Sequence, residues 1–71
     1  MAEVEVPIGD SSTIDAAFYD ADERKLRIQF KAGIYEYSNV GQETVDGLSN
    51  AGSPGSYWHQ MKGNFPYVRV G

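Results

Sequence analysis

The sequence predicts an α+β domain in which a three-stranded antiparallel β-meander packs against two short α-helices. Three observations carry that prediction. Leu26-Arg27-Ile28-Gln29-Phe30 alternates apolar and polar residues, the period of a half-buried strand, and Tyr35-Glu36-Tyr37 resumes the alternation beyond Gly33. Val40, Val45 and Leu48 then fall at helical spacing. Ser53-Pro54 opens a second helical run through Tyr57, Trp58 and Met61, with a hydroxyl cap and proline at the first helical position.

Taken in order, residues 1–10 read as an extended amino-terminal arm or edge strand, with Pro7 tolerated at an edge and Val6 or Ile8 packed inward. Residues 11–71 form a single domain. Ile14, Ala16 and Phe18 alternate with Thr13, Asp15 and Ala17 and are expected on the inner face of the first strand of the meander. Asp20-Ala21-Asp22-Glu23 makes a turn, because short acidic side chains satisfy turn backbone. Leu26, Ile28 and Phe30 face the core, and Lys25, Arg27, Gln29 and Lys31 face away. A two-residue Ala32-Gly33 loop pairs Lys31 with Ile34, Phe30 with Tyr35 and Ile28 with Tyr37, which points both tyrosines at the helices. A three-residue loop would turn them outward. Asn39 is a candidate cap for a helix over residues 42–50, whose acids Glu43 and Asp46 lie early, where the helix dipole favours them. Gly47 weakens that helix by about 1 kcal/mol relative to Ala. Gly52 is expected as a left-handed residue after it. Gly63-Asn64 ends the second helix, and residues 65–70 form a terminal extended segment that can supply a further edge strand. The expected core is Ile14, Phe18, Leu26, Ile28, Phe30, Tyr35, Tyr37, Val40, Val45, Leu48, Trp58, Met61 and Phe65.

Seventy-one residues make one small domain with a thin margin of stability. The absence of cysteine removes disulfides and thiolate metal sites. Nine aromatic residues compensate, each able to bury roughly 150–250 Å². No apolar run approaches the ~20 residues of a membrane span, and no secretory leader opens the chain, so a cytoplasmic protein is expected. The net charge of −4 conceals an asymmetry. Residues 1–23 hold seven acids and no Lys or Arg, whereas residues 24–71 hold all six basic residues and three acids. Long-range attraction to a phosphate backbone is excluded, but a local basic face is not.

The ordered set Ser11-Ser12-Thr13-Ile14, Tyr19-Asp20, the Leu26/Ile28/Phe30 strand, Gly33 with Tyr35-Glu36-Tyr37, then Val40, Val45, Leu48 and Ser53-x-Gly55-x-Tyr57-Trp58 resembles the KTSC domain. This small module is known at the carboxyl end of some lysyl-tRNA synthetases and as free-standing proteins in bacteria and bacteriophages. The resemblance covers about residues 11–70, and it rests on order and spacing, since no single piece is specific. Three departures stand out. Gly41 replaces the proline frequent after Val40, Phe18 replaces a glycine before Tyr19-Asp20, and the stretch from Trp58 to Lys62 is about one residue short. The association with a synthetase implies an RNA-binding role, an argument from company rather than from chemistry.

The residues themselves offer three places for chemistry. Lys25, Arg27 and Lys31 form a basic stripe on the sheet face away from the helices, with Tyr19 expected beside them; cations next to an aromatic suit single-stranded nucleic acid. Residues 52–56, a glycine-bearing loop feeding a helix, place Ser53, Gly55 and Ser56 where backbone N–H groups favour an anion, with Tyr57, Trp58, His59 and Lys62 close by. The loop lacks the lysine and spacing of a P-loop. His59 with Ser53 and Ser56 tempts a nucleophile–base reading, yet no orienting group and no glycine elbow accompany it. Asp20, Asp22 and Glu23 lack the calcium-loop pattern, and no His/Asp/Glu spacing predicts a metal site. The expectation is a non-catalytic binding module without cofactor, for RNA or another nucleotide-like anion. The alternative is a protein-interaction or oligomeric accessory protein, phage-encoded, that sequesters a host factor or a signalling nucleotide. Its interface would be the open sheet face, with Ile34 and Tyr19 as anchors.

Overall fold

The computed structural model describes residues 3–71; Met1 and Ala2, the start of the expected arm, lie outside the described residues. The meander forms the centre of a five-stranded antiparallel sheet, to which each end of the chain adds a strand. The strands are β1 (Val4–Glu5), β2 (Ile14–Asp20), β3 (Lys25–Phe30), β4 (Gly33–Tyr37) and β5 (Tyr67–Arg69), adjacent in chain order. Helices α1 (Gln42–Asn50) and α2 (Pro54–Met61) cover one face, and a 3₁₀ turn at Lys62–Asn64 leads into β5. Leu26, Ile28, Tyr37, Val40, Leu48 and Trp58 form the buried centre, joined by Ile14, Ala17, Tyr19 and Val45 and by Val6 from the arm. Phe30, Tyr35, Met61 and Phe65 are only partly buried against it.

The first strand departs from the simple alternation. Ile14 pairs with Phe30, but Ala16 pairs with Gln29, so Asp15 is an extra residue and the register shifts there. Ile14 keeps its inward direction while the rest of the strand inverts. Ala17 and Tyr19 point into the core, and Phe18 lies on the open face under the Arg27 guanidinium, 5.4 Å from its ring centre. The expected core position of Phe18 is therefore corrected to Tyr19.

The hairpin loop is Lys31-Ala32, one residue earlier than expected. Phe30 pairs with Gly33, Ile28 with Tyr35 and Leu26 with Tyr37. The pairing has slid by two residues, which preserves the faces, so both tyrosines do point toward the helices. A type I′ turn would need positive φ at Lys31 and Ala32, and neither has it; Gly33 carries the unusual angle instead, at φ 157°. In the β2–β3 turn the Asp20 carboxylate accepts from the backbone N–H groups of Asp22 and Glu23 at 3.0 and 3.1 Å. Arg24 closes that turn with φ 56°.

The helix ends also differ from expectation. Asn39 takes a left-handed conformation (φ 61°) in the exit from the sheet, and Gly41 occupies the cap position of α1. Ala51, extended, ends α1, and Gly52 has no positive φ. Ser53 caps α2 by position alone, without a side-chain hydrogen bond, and Pro54 follows as the first helical residue. Gly47 has a packing reason. A Cβ there would collide with the Tyr57 hydroxyl, which donates to the Thr44 carbonyl at 3.0 Å and joins α2 to α1.

A candidate functional site: an aromatic cleft with a basic rim

A cleft of about 780 Å³ opens between α2 and the end of the sheet where β3 turns into β4. Its walls are aromatic. Phe30 comes from β3, Tyr35 and Tyr37 from β4, Tyr67 from β5 and Trp58 from α2. The rings form one connected series with centroid separations of 5.7 Å for Phe30–Tyr35, 5.7 Å for Tyr35–Tyr67, 5.6 Å for Tyr67–Tyr37 and 4.9 Å for Tyr37–Trp58. Phe65 stacks on the far side of Trp58 at 5.7 Å. These are ordinary edge, tilted and stacked aromatic geometries, each contributing about 0.5–1.5 kcal/mol beyond area burial. The register explains the gathering. Tyr35 pairs with Arg69 and Tyr37 with Tyr67, so three phenol rings share the helix-facing side of adjacent strands.

The rim is basic and hydroxylic. Lys31 in the hairpin loop, with His59 and Lys62, supplies the nitrogen groups, and Ser12, Thr13 and Ser56 supply hydroxyls. Gly55, Ser56, His59 and Lys62 recur at three- and four-residue spacing, which puts them on one side of α2 and the turn after it. At Gly55 a Cβ would come within 3.3 Å of Ser11 Oγ and Thr13 Oγ1, so glycine lets the start of α2 approach the residues before β2. No Asp or Glu lines the cleft. Lys31 does form an ion pair of 2.5 Å, with Asp15, which lies outside the lining.

Two groups on the inner wall are perturbed by burial. Tyr37 is 4% exposed, and desolvation pushes its phenol above the ordinary value. The neighbouring Trp58 indole N–H opposes that shift in part. The indole nitrogen itself is buried and makes no hydrogen bond of good geometry.

The expected site residues divide. Lys31, Gly55, Ser56, Trp58, His59 and Lys62 come together around this cleft, with Trp58 as buried wall rather than exposed contact. Tyr19, Lys25, Arg27, Ser53 and Tyr57 do not. Tyr19 is buried, and its hydroxyl donates to the Val40 carbonyl at 2.6 Å, so it can neither join an open face nor anchor an interface there. Tyr57 is spent on Thr44, and Ser53 is exposed outside the lining. Lys25 and Arg27 do lie on the open sheet face, but Lys25 sits 3.8 Å from Glu36 and Arg27 sits 2.6 Å from Glu3. The strand register places Glu5 and Asp20 on that face as well, so the expected basic stripe is an acid-balanced surface. The sequence reading missed Phe30, Tyr35, Tyr37 and Tyr67 as cleft residues. The signal for Tyr67 was present in the alternation Tyr67-Val68-Arg69, which marks a strand able to pair beside Tyr35-Glu36-Tyr37.

A second hollow, about 490 Å³, lies between β1 and α1 with the opposite charge; Glu5, Asp22 and Asp46 border its aliphatic lining. No group of three or more His, Asp or Glu that could hold a metal occurs among the described residues, and none of their helices is long and apolar enough to cross a membrane.

The fold and the cleft define a small α+β module built to present one concave aromatic surface. The KTSC domain family model matches residues 10–65, and the chain belongs to the KTSC domain family. A KTSC domain protein of known crystal structure from Yersinia pestis is 33% identical, superposes with a TM-score of 0.89, and is matched over 99% of this chain and 100% of its own length. A lysine–tRNA ligase of Nostoc sp. (strain PCC 7120) is 36% identical over 63 residues, 86% of this chain. The chain spans 11% of the length of that ligase.

Proposed function

We propose that this domain is a non-catalytic, cytoplasmic binding module whose ligand is RNA or another nucleotide-like anion, seated in the cleft between α2 and the sheet. One observation carries the reading. In a chain of net charge −4, a cleft walled by five aromatic rings has Lys31, His59 and Lys62 around it and no carboxylate in its lining. Aromatic faces accept any nucleobase by stacking, and a local excess of cations accepts its phosphate. The similarity to part of a lysine–tRNA ligase supports the same ligand class. The open sheet face, one of the two places first expected, is the weaker because Lys25 and Arg27 are both matched by acids there, whereas the cleft pairs Lys31 with Asp15 but adds Lys62 and five aromatic rings. Titration of the protein with mononucleotides and with short single-stranded oligonucleotides at low salt tests the proposal. Saturable binding is the expected result, and its absence for every nucleotide ends the reading.

A second reading, a protein-interaction or oligomeric accessory role, rests on the exposed carboxyl-terminal edge. Val68 and Val70 are 58% and 51% exposed, and Val68 shares the open face with Ile34 and Phe18. Light scattering after gel filtration discriminates between the two. A stable dimer whose interface protects Arg27 and Ile34 would favour the accessory role.

A further inference from the structure

Resting on the nucleotide-binding reading, we infer that the cleft takes one unstacked nucleotide at a time, free or as a single residue of a single strand, and rejects duplex. The first argument is access. Tyr37 and Trp58 are buried, whereas Tyr67 is 59% exposed and projects from the edge strand at the mouth of the cleft. Tyr35 is half-buried, and the Arg69 guanidinium sits 6.0 Å from its ring centre. Tyr67 is thus the open stacking platform, and the ring series behind it is floor. A volume of about 780 Å³ lies inside the range of small-ligand pockets, roughly 300–1,000 Å³, and accommodates a base with its sugar and phosphate; the single open platform, Tyr67, sets the count at one.

The second argument is charge. Lys31 and Lys62 border the cleft, and Lys31 is already paired with Asp15, so the cleft neutralises one or two phosphates at most. Away from it the surface opposes a polyanion. The open sheet face sets Glu3, Glu5, Asp20 and Glu36 against Lys25 and Arg27, and the hollow beside α1 is bordered by carboxylates. A long strand therefore gains little beyond its first contacts. A duplex gains less, because its bases stay stacked in the helix and cannot reach Tyr67.

The test uses the full chain, with calorimetric titrations of AMP, UMP, a single-stranded RNA tetranucleotide and a twelve-base-pair RNA duplex at several salt concentrations. We expect saturable binding of the mononucleotides, the tetranucleotide or both, with the duplex at least tenfold weaker. The tetranucleotide's salt slope should be about −0.7 to −1.4, the value for one or two phosphates on a single strand. Equal affinity for mononucleotide and tetranucleotide would assign the site to free nucleotides; tenfold tighter tetranucleotide binding would assign it to a strand. Tyr67→Ala should weaken binding about tenfold and lower the thermal melt by a few degrees through its two lost ring contacts, and Tyr67→Phe, which keeps those contacts, should retain both binding and melt. Lys62→Ala should flatten the slope by about 0.7. Duplex binding as tight as the single strand, a slope far steeper than two contacts allow, or indifference to Tyr67→Ala would overturn the single-nucleotide site while leaving the broader reading intact. No binding of any probe would remove both.

Discussion

The Tyr19 hydroxyl lies inside the protein and donates to the carbonyl of Val40, whose own N–H donates to the Arg24 carbonyl at 2.9 Å. One phenol therefore ties the end of β2 to the segment leaving β4. Removing only the oxygen leaves a buried carbonyl without its partner, which costs about 1–3 kcal/mol. Tyr19→Phe should lower stability by that amount, read as a reduced midpoint in urea, and should leave nucleotide affinity unchanged because the ring lies outside the aromatic cleft. Loss of affinity in a folded Tyr19→Phe protein would mean that the cleft is not the binding surface. The neighbouring Phe18 has the reverse character. Its ring packs under Arg27 on the open face, a cation–π contact that contributes about 0.5–1 kcal/mol at an exposed site.

At the scale of elements, the joint between α1 and α2 shows why local propensity misleads. Gly47 weakens α1 as an isolated helix, yet its missing side chain is the space the Tyr57 ring occupies. Gly47→Ala gains about 1 kcal/mol of helix propensity. Against that, the added methyl displaces a half-buried ring, at about 1–3 kcal/mol, and strains its hydrogen bond to Thr44, at about 1 kcal/mol. The net expected effect is a destabilisation of about 1–3 kcal/mol. In a Tyr57→Ala background the same substitution should become stabilising by up to about 1 kcal/mol. A double-mutant cycle measured by denaturant unfolding checks the reversal of sign, and additive effects would show that Gly47 and Tyr57 are uncoupled. The extra residue at Asp15 has comparable reach. It turns Tyr19 inward and Phe18 outward, and it sets Asp15 against Lys31 at the edge of the cleft. The α2 turn pattern of Gly55, Ser56, His59 and Lys62 could be read from spacing, whereas the sheet residues opposite it depended on a register slid by two.

For the whole molecule, stability at high pH depends on Tyr37. Its phenol is held above the usual value chiefly because burial penalises the phenolate. A raised folded-state value means that the unfolded chain loses the proton first. The stabilisation is fully present below about pH 10, the ordinary phenol value, and is lost as pH rises through the folded value. Unfolding free energy should therefore fall above pH 10, and Tyr37→Phe should flatten that limb without changing the neutral-pH slope. An alkaline limb identical in the variant would place the sensitivity elsewhere. The exposed ion pairs Lys31–Asp15, Arg27–Glu3 and Lys25–Glu36 contribute little to the neutral-pH value, since such pairs give about 0–1 kcal/mol each. Their larger effect is on charge distribution. The open face is left charge-balanced, while the cleft lining holds Lys62 and the Asp15-paired Lys31 with no carboxylate of its own.

The chain alone determined the order of elements, the antiparallel hairpin with Leu26 and Ile28 turned inward, the proline start of α2 and the family; the facing of the two hairpin tyrosines hung on the loop length. The structural features follow from periodicity or from a residue with a fixed backbone preference, which are local properties, and the family followed from the resemblance of the ordered residues to it. Only the tertiary structure decided that Asp15 is an extra residue, that Tyr19 is core, that the lysine and arginine of the open face are matched by acids, and that Tyr67 returns from the end of the chain to stand beside Tyr35 and Tyr37. The physical reason is that register and charge pairing are relations between distant segments. A shift of one residue exchanges the two faces of a strand while the alternation that marks it as a strand remains the same.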